Sequence, residues 1–141
     1  MSSPNGDRIR RALQGALVNA VLGNERIARE LDLLVTDLQT LHLLVLREDV
    51  RTPKQLSRTT GLPTSTVTRV LDRLEAAGYV RRVRDPQDRR RINIELVAER
   101  IEPIISRYDQ YTQSLERTDA EFSEDELGIV ARYLERTAST F

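Results

Sequence analysis

Apolar positions recur at helical spacing along most of the chain. Ile9, Leu13, Ala16, Leu17, Ala20 and Val21 form one stripe and predict a long helix beginning near Asp7. The residues before it, Met1 to Gly6, read as a frayed start rich in Ser, Pro, Asn and Gly. Gly23-Asn24 weakens this helix without ending it, and the apolar period resumes at Ile27, Leu31 and Leu34. A helix well beyond the usual length of about 10–14 residues favours a dimer face over packing within one chain. Val35 to Arg47 predicts the next helix, with Thr36 or Asp37 as its cap and Leu38, Leu41, Leu44 and Val45 on its buried side. Glu48 to Arg51 is a polar connection.

Two short helices follow. Thr52, Pro53 and Gln55 make a capping box with proline where a missing N–H costs nothing. That helix should end near Thr59-Thr60, with Gly61 in the left-handed turn. Pro63 blocks backward extension of the next helix, so Thr64 or a neighbour caps it, and it runs from about Ser65 to Ala77, stopping at Gly78. Val67, Val70, Leu71 and Leu74 give it one buried stripe. The opposite face carries Ser65, Arg69 and Asp72, flanked by Thr66, Thr68 and Arg73, and Asp72 is spaced to hold the Arg69 guanidinium. Hydroxyls and arginine forks suit base edges and phosphates, and the layout is helix-turn-helix. On this helix by itself, a solvated face of an ordinary core helix is an equal reading.

The period then changes to two. Ile92, Ile94 and Leu96 alternate with Arg91, Asn93 and Glu95, Tyr79 to Arg84 supplies a partner strand, and Asp85-Pro86-Gln87-Asp88 reads as the turn between them. Six arginines surround this hairpin: Arg81, Arg82, Arg84, Arg89, Arg90 and Arg91. They repel one another unless an anion lies nearby, and a phosphate backbone is the obvious one, with an arginine tip suited to the minor groove. The expected fold is mostly α with a small β-hairpin: a winged helix-turn-helix flanked by terminal helices.

Beyond the hairpin, Ala98 to about Leu115 predicts a helix presenting Ile101, Ile104, Ile105, Tyr108, Tyr111 and Leu115. Pro103 belongs in its first turn, or else the helix starts later or kinks. Thr118 to Phe122 breaks the pattern. Ser123 and Glu126 form a second capping box, and the last helix runs to about Ala138 with Leu127, Val130, Ala131 and Leu134 inward.

Charge sharpens this picture. The formal net charge is zero, but residues 1–46 are balanced, residues 47–91 carry net +6 and residues 92–141 net −6. A basic middle is what local DNA binding needs. The absence of cysteine excludes disulfides, a thiolate metal site and cysteine-based peroxide sensing, and fits a reducing cytoplasm. His42 is the only histidine, a poor basis for a metal site, and reads as a core-edge residue. The 141 residues suffice for one domain, with no long apolar run to suggest a membrane. No catalytic set, Gly-rich phosphate loop or cofactor motif is present, so neither an enzyme nor a cofactor is expected.

The run STVTRVLDRLEAAGYVRR followed by DPQDRRRINIEL resembles the MarR family of bacterial transcription regulators, over about residues 30 to 100. Asp88 and Arg90 match that family's Asp-x-Arg wing pattern, and Leu96 matches its strand end. Val97 stands where threonine is usual, and a usual glycine is missing around Glu99-Arg100. The resemblance implies that Arg90 enters the minor groove with Asp88 bracing it. It divides the chain into an N-terminal dimerisation helix (1–34), a winged helix-turn-helix (35–97) and C-terminal dimerisation helices (98–141). The implied partners are double-stranded DNA, a second copy of the chain and a small organic effector. The implied role is a homodimeric repressor on a palindromic operator with half-sites about 34 Å apart. Candidate DNA contacts are Thr64, Ser65, Thr66, Thr68, Arg69, Arg73, Arg84, Asp88, Arg89, Arg90 and Arg91. Leu38, His42, Tyr108 and Tyr111 are candidates for an effector cleft, although such residues are more often plain core. The alternative is a winged-helix protein-interaction module that binds no DNA, which leaves the arginine cluster unexplained.

Overall fold

The computed structural model describes residues 1 and 3–140. It divides into two compact units, Met1–Ala98 and a second beginning at Glu99. Among the described residues no helix is long and apolar enough to cross a membrane.

The first unit opens with α1, Pro4–Glu30. It starts earlier than the expected Asp7, because Ser3 accepts from the Gly6 N–H at 2.9 Å and Pro4 fits the first helical position. The frayed start is thus corrected from Pro4 onward; Ser2 lies outside the described residues. Leu31 and Leu34 do not continue the helix. Asp32 takes φ 55, and the Asp32 and Leu33 N–H groups close back on the Arg29 and Ala28 carbonyls, a Schellman end built on an aspartate. Among the described residues, Ala28 is the only buried one of α1.

In α2, Val35–Leu46, the cap position belongs to Leu34, which has no side-chain acceptor. Neither Thr36 nor Asp37 is the N-cap. Asp37 sits three residues inside the helix and its Oδ2 accepts from the Leu34 N–H at 3.2 Å. Leu38, Leu41 and Leu44 are fully buried, whereas Val45 is only half-buried. Arg51 closes the far end of α2: its Nη1 donates to the Leu44, Arg47 and Val50 carbonyls.

Helix α3, Pro53–Thr60, has the expected box. Thr52 Oγ1 accepts from the Gln55 N–H at 3.2 Å, and Gln55 Oε1 accepts in return from the Thr52 N–H at 3.1 Å. Gly61 takes φ 72 and ends the helix. Helix α4, Thr64–Ala76, starts one residue before expectation, with Pro63 at the cap position and no side-chain cap. Thr64 is therefore helical rather than capping. Gly78, at φ 83, turns the chain, and Tyr79 N–H bonds back to the Leu74 carbonyl. The core is built where α2, α3 and α4 bring together Leu38, Leu41, Leu44, Leu56, Val67, Val70, Leu71 and Leu74.

Strands β1, Val80–Arg84, and β2, Ile92–Leu96, pair antiparallel from Val80↔Leu96 to Arg84↔Ile92. Tyr79 lies outside the strand but accepts from the Val97 N–H at 2.9 Å. Val80 and Ile94 reach the core, Leu96 is half-buried and Ile92 is exposed, so the inner face opens to solvent toward the hairpin tip. The Ile94 N–H also donates to the Arg51 carbonyl at 2.7 Å, tying the hairpin to the segment that leads into α3.

The second unit holds α5, Ala98–Asp119, and α6, Glu124–Ala138. Pro103 lies inside α5, past its first turn, and leaves the Glu99 carbonyl without its helical donor. Helix α5 continues beyond the expected Leu115. Ser123 and Glu126 close the predicted box at the start of α6, with backbone-to-side-chain bonds of 3.2 and 2.9 Å. The backbone and side chain of Ser123 hold the Glu126 carboxyl below its usual range. The expected inward side of α6 is not buried among the described residues. Val130 and Leu134 are 46% and 44% exposed, Ala131 is exposed and Leu127 is half-buried.

Candidate nucleic-acid interface

The buried stripe of α4 fixes which side faces out. With Val67, Val70, Leu71 and Leu74 in the core, Thr64, Ser65, Thr68 and Arg69 are exposed and Thr66 is half-buried. The Thr68 hydroxyl donates to the Thr64 carbonyl at 3.0 Å, so toward a ligand it offers an acceptor rather than a donor. Arg69 forms no salt bridge among the described residues.

The structure places Asp72 away from Arg69. Its Oδ1 accepts from Arg82 Nη2 of β1 at 2.6 Å, and Glu75, one turn on, binds the same arginine. Arg73 also departs from a free, DNA-facing cation. Its Nε and Nη2 bind the Asp37 carboxylate of α2 at 2.8–3.1 Å. Sequence spacing shows neither pairing, because both partners come from other elements.

The remaining wing arginines behave differently. Arg81, Arg84, Arg89, Arg90 and Arg91 are exposed, and their side chains form no salt bridge among the described residues. Asp85 organises the loop that carries them. Its Oδ1 accepts from the Gln87 and Asp88 N–H groups at 2.8 and 3.3 Å, and its Oδ2 from the Asn93 amide at 3.2 Å. The Gln87 N–H, then Asn93, hold its carboxyl below the usual range, with nearby Arg91 adding to the effect. Asp88 does brace Arg90, but through the main chain: its Oδ1 accepts from the Arg90 N–H at 3.0 Å and leaves the guanidinium free.

Between α3, the start of α4 and the loop of the wing lies an open groove of about 780 Å³, lined among others by Lys54, Arg58, Thr64, Arg90 and Arg91. Lys54 and Arg58 are not among the sequence candidates. A signal for them is present, since they are four residues apart and share one side of α3. The groove brings cations from α3 and the wing to one concave surface, beside Thr64, which suits a polyanion.

The effector candidates divide. Leu38 is fully buried, so it is core and has no surface to line a cleft. His42 is half-buried, and burial lowers its pKa. Tyr108 is half-buried and pushed up to about 12 by burial, while Tyr111 is 65% exposed.

Comparison with known proteins agrees with this geometry. The family model described as MarR family matches residues 31–91. The uncharacterized HTH-type transcriptional regulator YcgE of Bacillus subtilis (strain 168) is 34% identical over 118 residues, covering 84% of this chain and 76% of that protein. Among solved structures, Streptococcus pneumoniae FabT in complex with DNA superimposes with a TM-score of 0.73 at 26% identity, over 95% of both chains. A mutant of MepR from a multidrug-resistant S. aureus clinical isolate gives a TM-score of 0.71 at 19% identity, over 95% of both chains, a likeness of fold.

Proposed function

Since this chain belongs to the MarR family of transcription regulators, we propose that it binds duplex DNA sequence-specifically. It does so as a homodimeric repressor on a palindromic operator, in the cytoplasm. The observation that carries this reading is the sorting of arginines. Arg73 and Arg82 are tied to carboxylates, whereas Arg69 on α4 and Arg84, Arg89, Arg90 and Arg91 on the wing are left outward. Outward cations on a helix and a hairpin match one reading element for the major groove and one for the minor groove. FabT, bound to DNA in its structure, has the same fold at 26% identity.

The dimer rests on apolar surface. Leu17, Val18, Val21 and Leu22 of α1 and Ile129, Val130 and Leu134 of α6 are all exposed in the single chain. Each unit thus carries its own exposed apolar helix stripe, and large exposed apolar patches mark interaction sites. In this reading residues 1–34 and 98–141 form the dimer and residues 35–97 read DNA. A small organic ligand that fits only one spacing of the two reading lobes would release the operator.

The test is binding to the DNA flanking its own gene at two salt concentrations, against random duplex. Tight, selective binding by two chains per site that weakens steeply with salt is expected. Binding to neither duplex would replace this reading with a protein-interaction module.

A further inference from the structure

Among the described residues, Asp37 is the only charged side chain in the core, 1% exposed. Both of its oxygens are occupied from two directions. Oδ1 accepts from Arg73 Nη2 at 2.8 Å and Nε at 3.1 Å; Oδ2 accepts from Arg73 Nε at 2.9 Å and from the Leu34 N–H at 3.2 Å. One carboxylate therefore closes the first turn of α2 and grips α4. The two helices otherwise bury aliphatic side chains, Leu38 and Leu41 on α2 and Val70, Leu71 and Leu74 on α4. Apolar contacts are non-directional and tolerate small rotations of a helix, whereas an arginine fork on a carboxylate is directional. Arg73 follows Arg69 by one helical turn, so the clamp sets where Arg69 and the hydroxyl face point.

Leu34 lies two residues past the left-handed Asp32 that ends α1. A line of bonds thus runs from the Leu34 N–H through Asp37 to Arg73.

We propose that Asp37 is a positioning residue for DNA recognition: through Arg73 it fixes the rotation of α4 and couples it to the α1–α2 junction. The proposal rests on the DNA reading above.

The test uses a duplex selected by the wild-type protein from a random library, with unselected duplex as control. Affinity is measured across a salt series for the wild type, Asp37→Asn, Arg73→Met and the double variant Asp37→Leu/Arg73→Met, alongside thermal unfolding. The double variant replaces the ion pair with apolar groups and so keeps a folded protein in the comparison if Asp37→Asn does not fold. Each single variant should lose roughly tenfold on the selected duplex, a size typical of coupled neighbours, with little change on the control. The double variant should be no worse than either single one, and the salt slope should stay that of the wild type.

Three results overturn the proposal. In one, Arg73→Met lowers the salt slope by about one while Asp37→Asn binds normally, which makes Arg73 a phosphate contact. In another, unfolding temperatures fall but the folded variants bind like the wild type, which makes the clamp structural only. In the third, the wild type binds no duplex, which removes the DNA reading itself.

Discussion

Glu75 and Arg82 are joined twice. The Arg82 N–H donates to Glu75 Oε2 at 2.7 Å, and Arg82 Nη2 donates to Glu75 Oε1 at 3.1 Å. The same Nη2 reaches Asp72 at 2.6 Å. The last turns of α4 are thereby fastened to β1, so helix and wing keep a set angle. An arginine that sequence places in a DNA-facing cluster instead holds α4 and the wing together.

This contact predicts a pH dependence. The Arg82 N–H first, and its side chain next, hold the Glu75 carboxyl below its usual range. A depressed carboxylate contributes stability that is present above the unfolded pKa, about 4.3, and is lost as pH falls through the folded value. Glu75→Gln should lower stability at neutral pH by no more than about 1 kcal/mol, since Glu75 is 37% exposed and solvent screens the pair. In thermal unfolding from about pH 7 to about pH 3, the gap between wild type and variant should close. A gap that stays constant would show that the charge of Glu75 contributes nothing.

Arg90→Ala should weaken DNA binding without unfolding the protein. Among the described residues its guanidinium has no salt bridge to lose, and the Asp88 bond to its main-chain N–H does not involve the side chain. The expected signature is a thermal stability within about 0.5 kcal/mol of wild type and a salt slope reduced by about one. Unchanged affinity would remove the wing from the interface.

Arg69→Ala separates two modes of contact. If Arg69 reads a base, the variant loses about 1–3 kcal/mol of discrimination between operator and random duplex. Equal losses on both duplexes would make it a phosphate contact.

Val21→Glu and Leu134→Glu should each convert a dimer to monomers in sedimentation, because Val21 and Leu134 are 59% and 44% exposed in the single chain. A charge buried at an interface without a partner is strongly unfavourable. Dimers that persist in both variants would move the interface elsewhere.

Local signals in this sequence are legible because their physics is local. The Thr52–Gln55 and Ser123–Glu126 boxes, the left-handed Gly61 and the stripe from Val67 to Leu74 all form as their spacing requires. The start of α1 escapes a compositional reading, because Ser3-Pro4 looks like a loose end and is in fact a cap. Its end escapes too, because apolar period at Leu31 and Leu34 says nothing about an aspartate adopting φ 55. Asp37 and Arg73 meet across 36 positions, which no helical period can indicate. Leu127, Val130 and Leu134 obey an inward pattern, yet Val130 and Leu134 are exposed among the described residues.

Arg51 caps α2 with one nitrogen and holds Ile94 of the wing with its own carbonyl. With Glu75 and Arg82 bonded on the other side, the wing is tied at two places, to α4 and to the segment that leads into α3. Under the proposed DNA reading, such a head would work as a ruler, and the duplex would adjust to its stride. Base pairs lying between helix and wing, touched by neither, would then be chosen by how cheaply they twist and narrow.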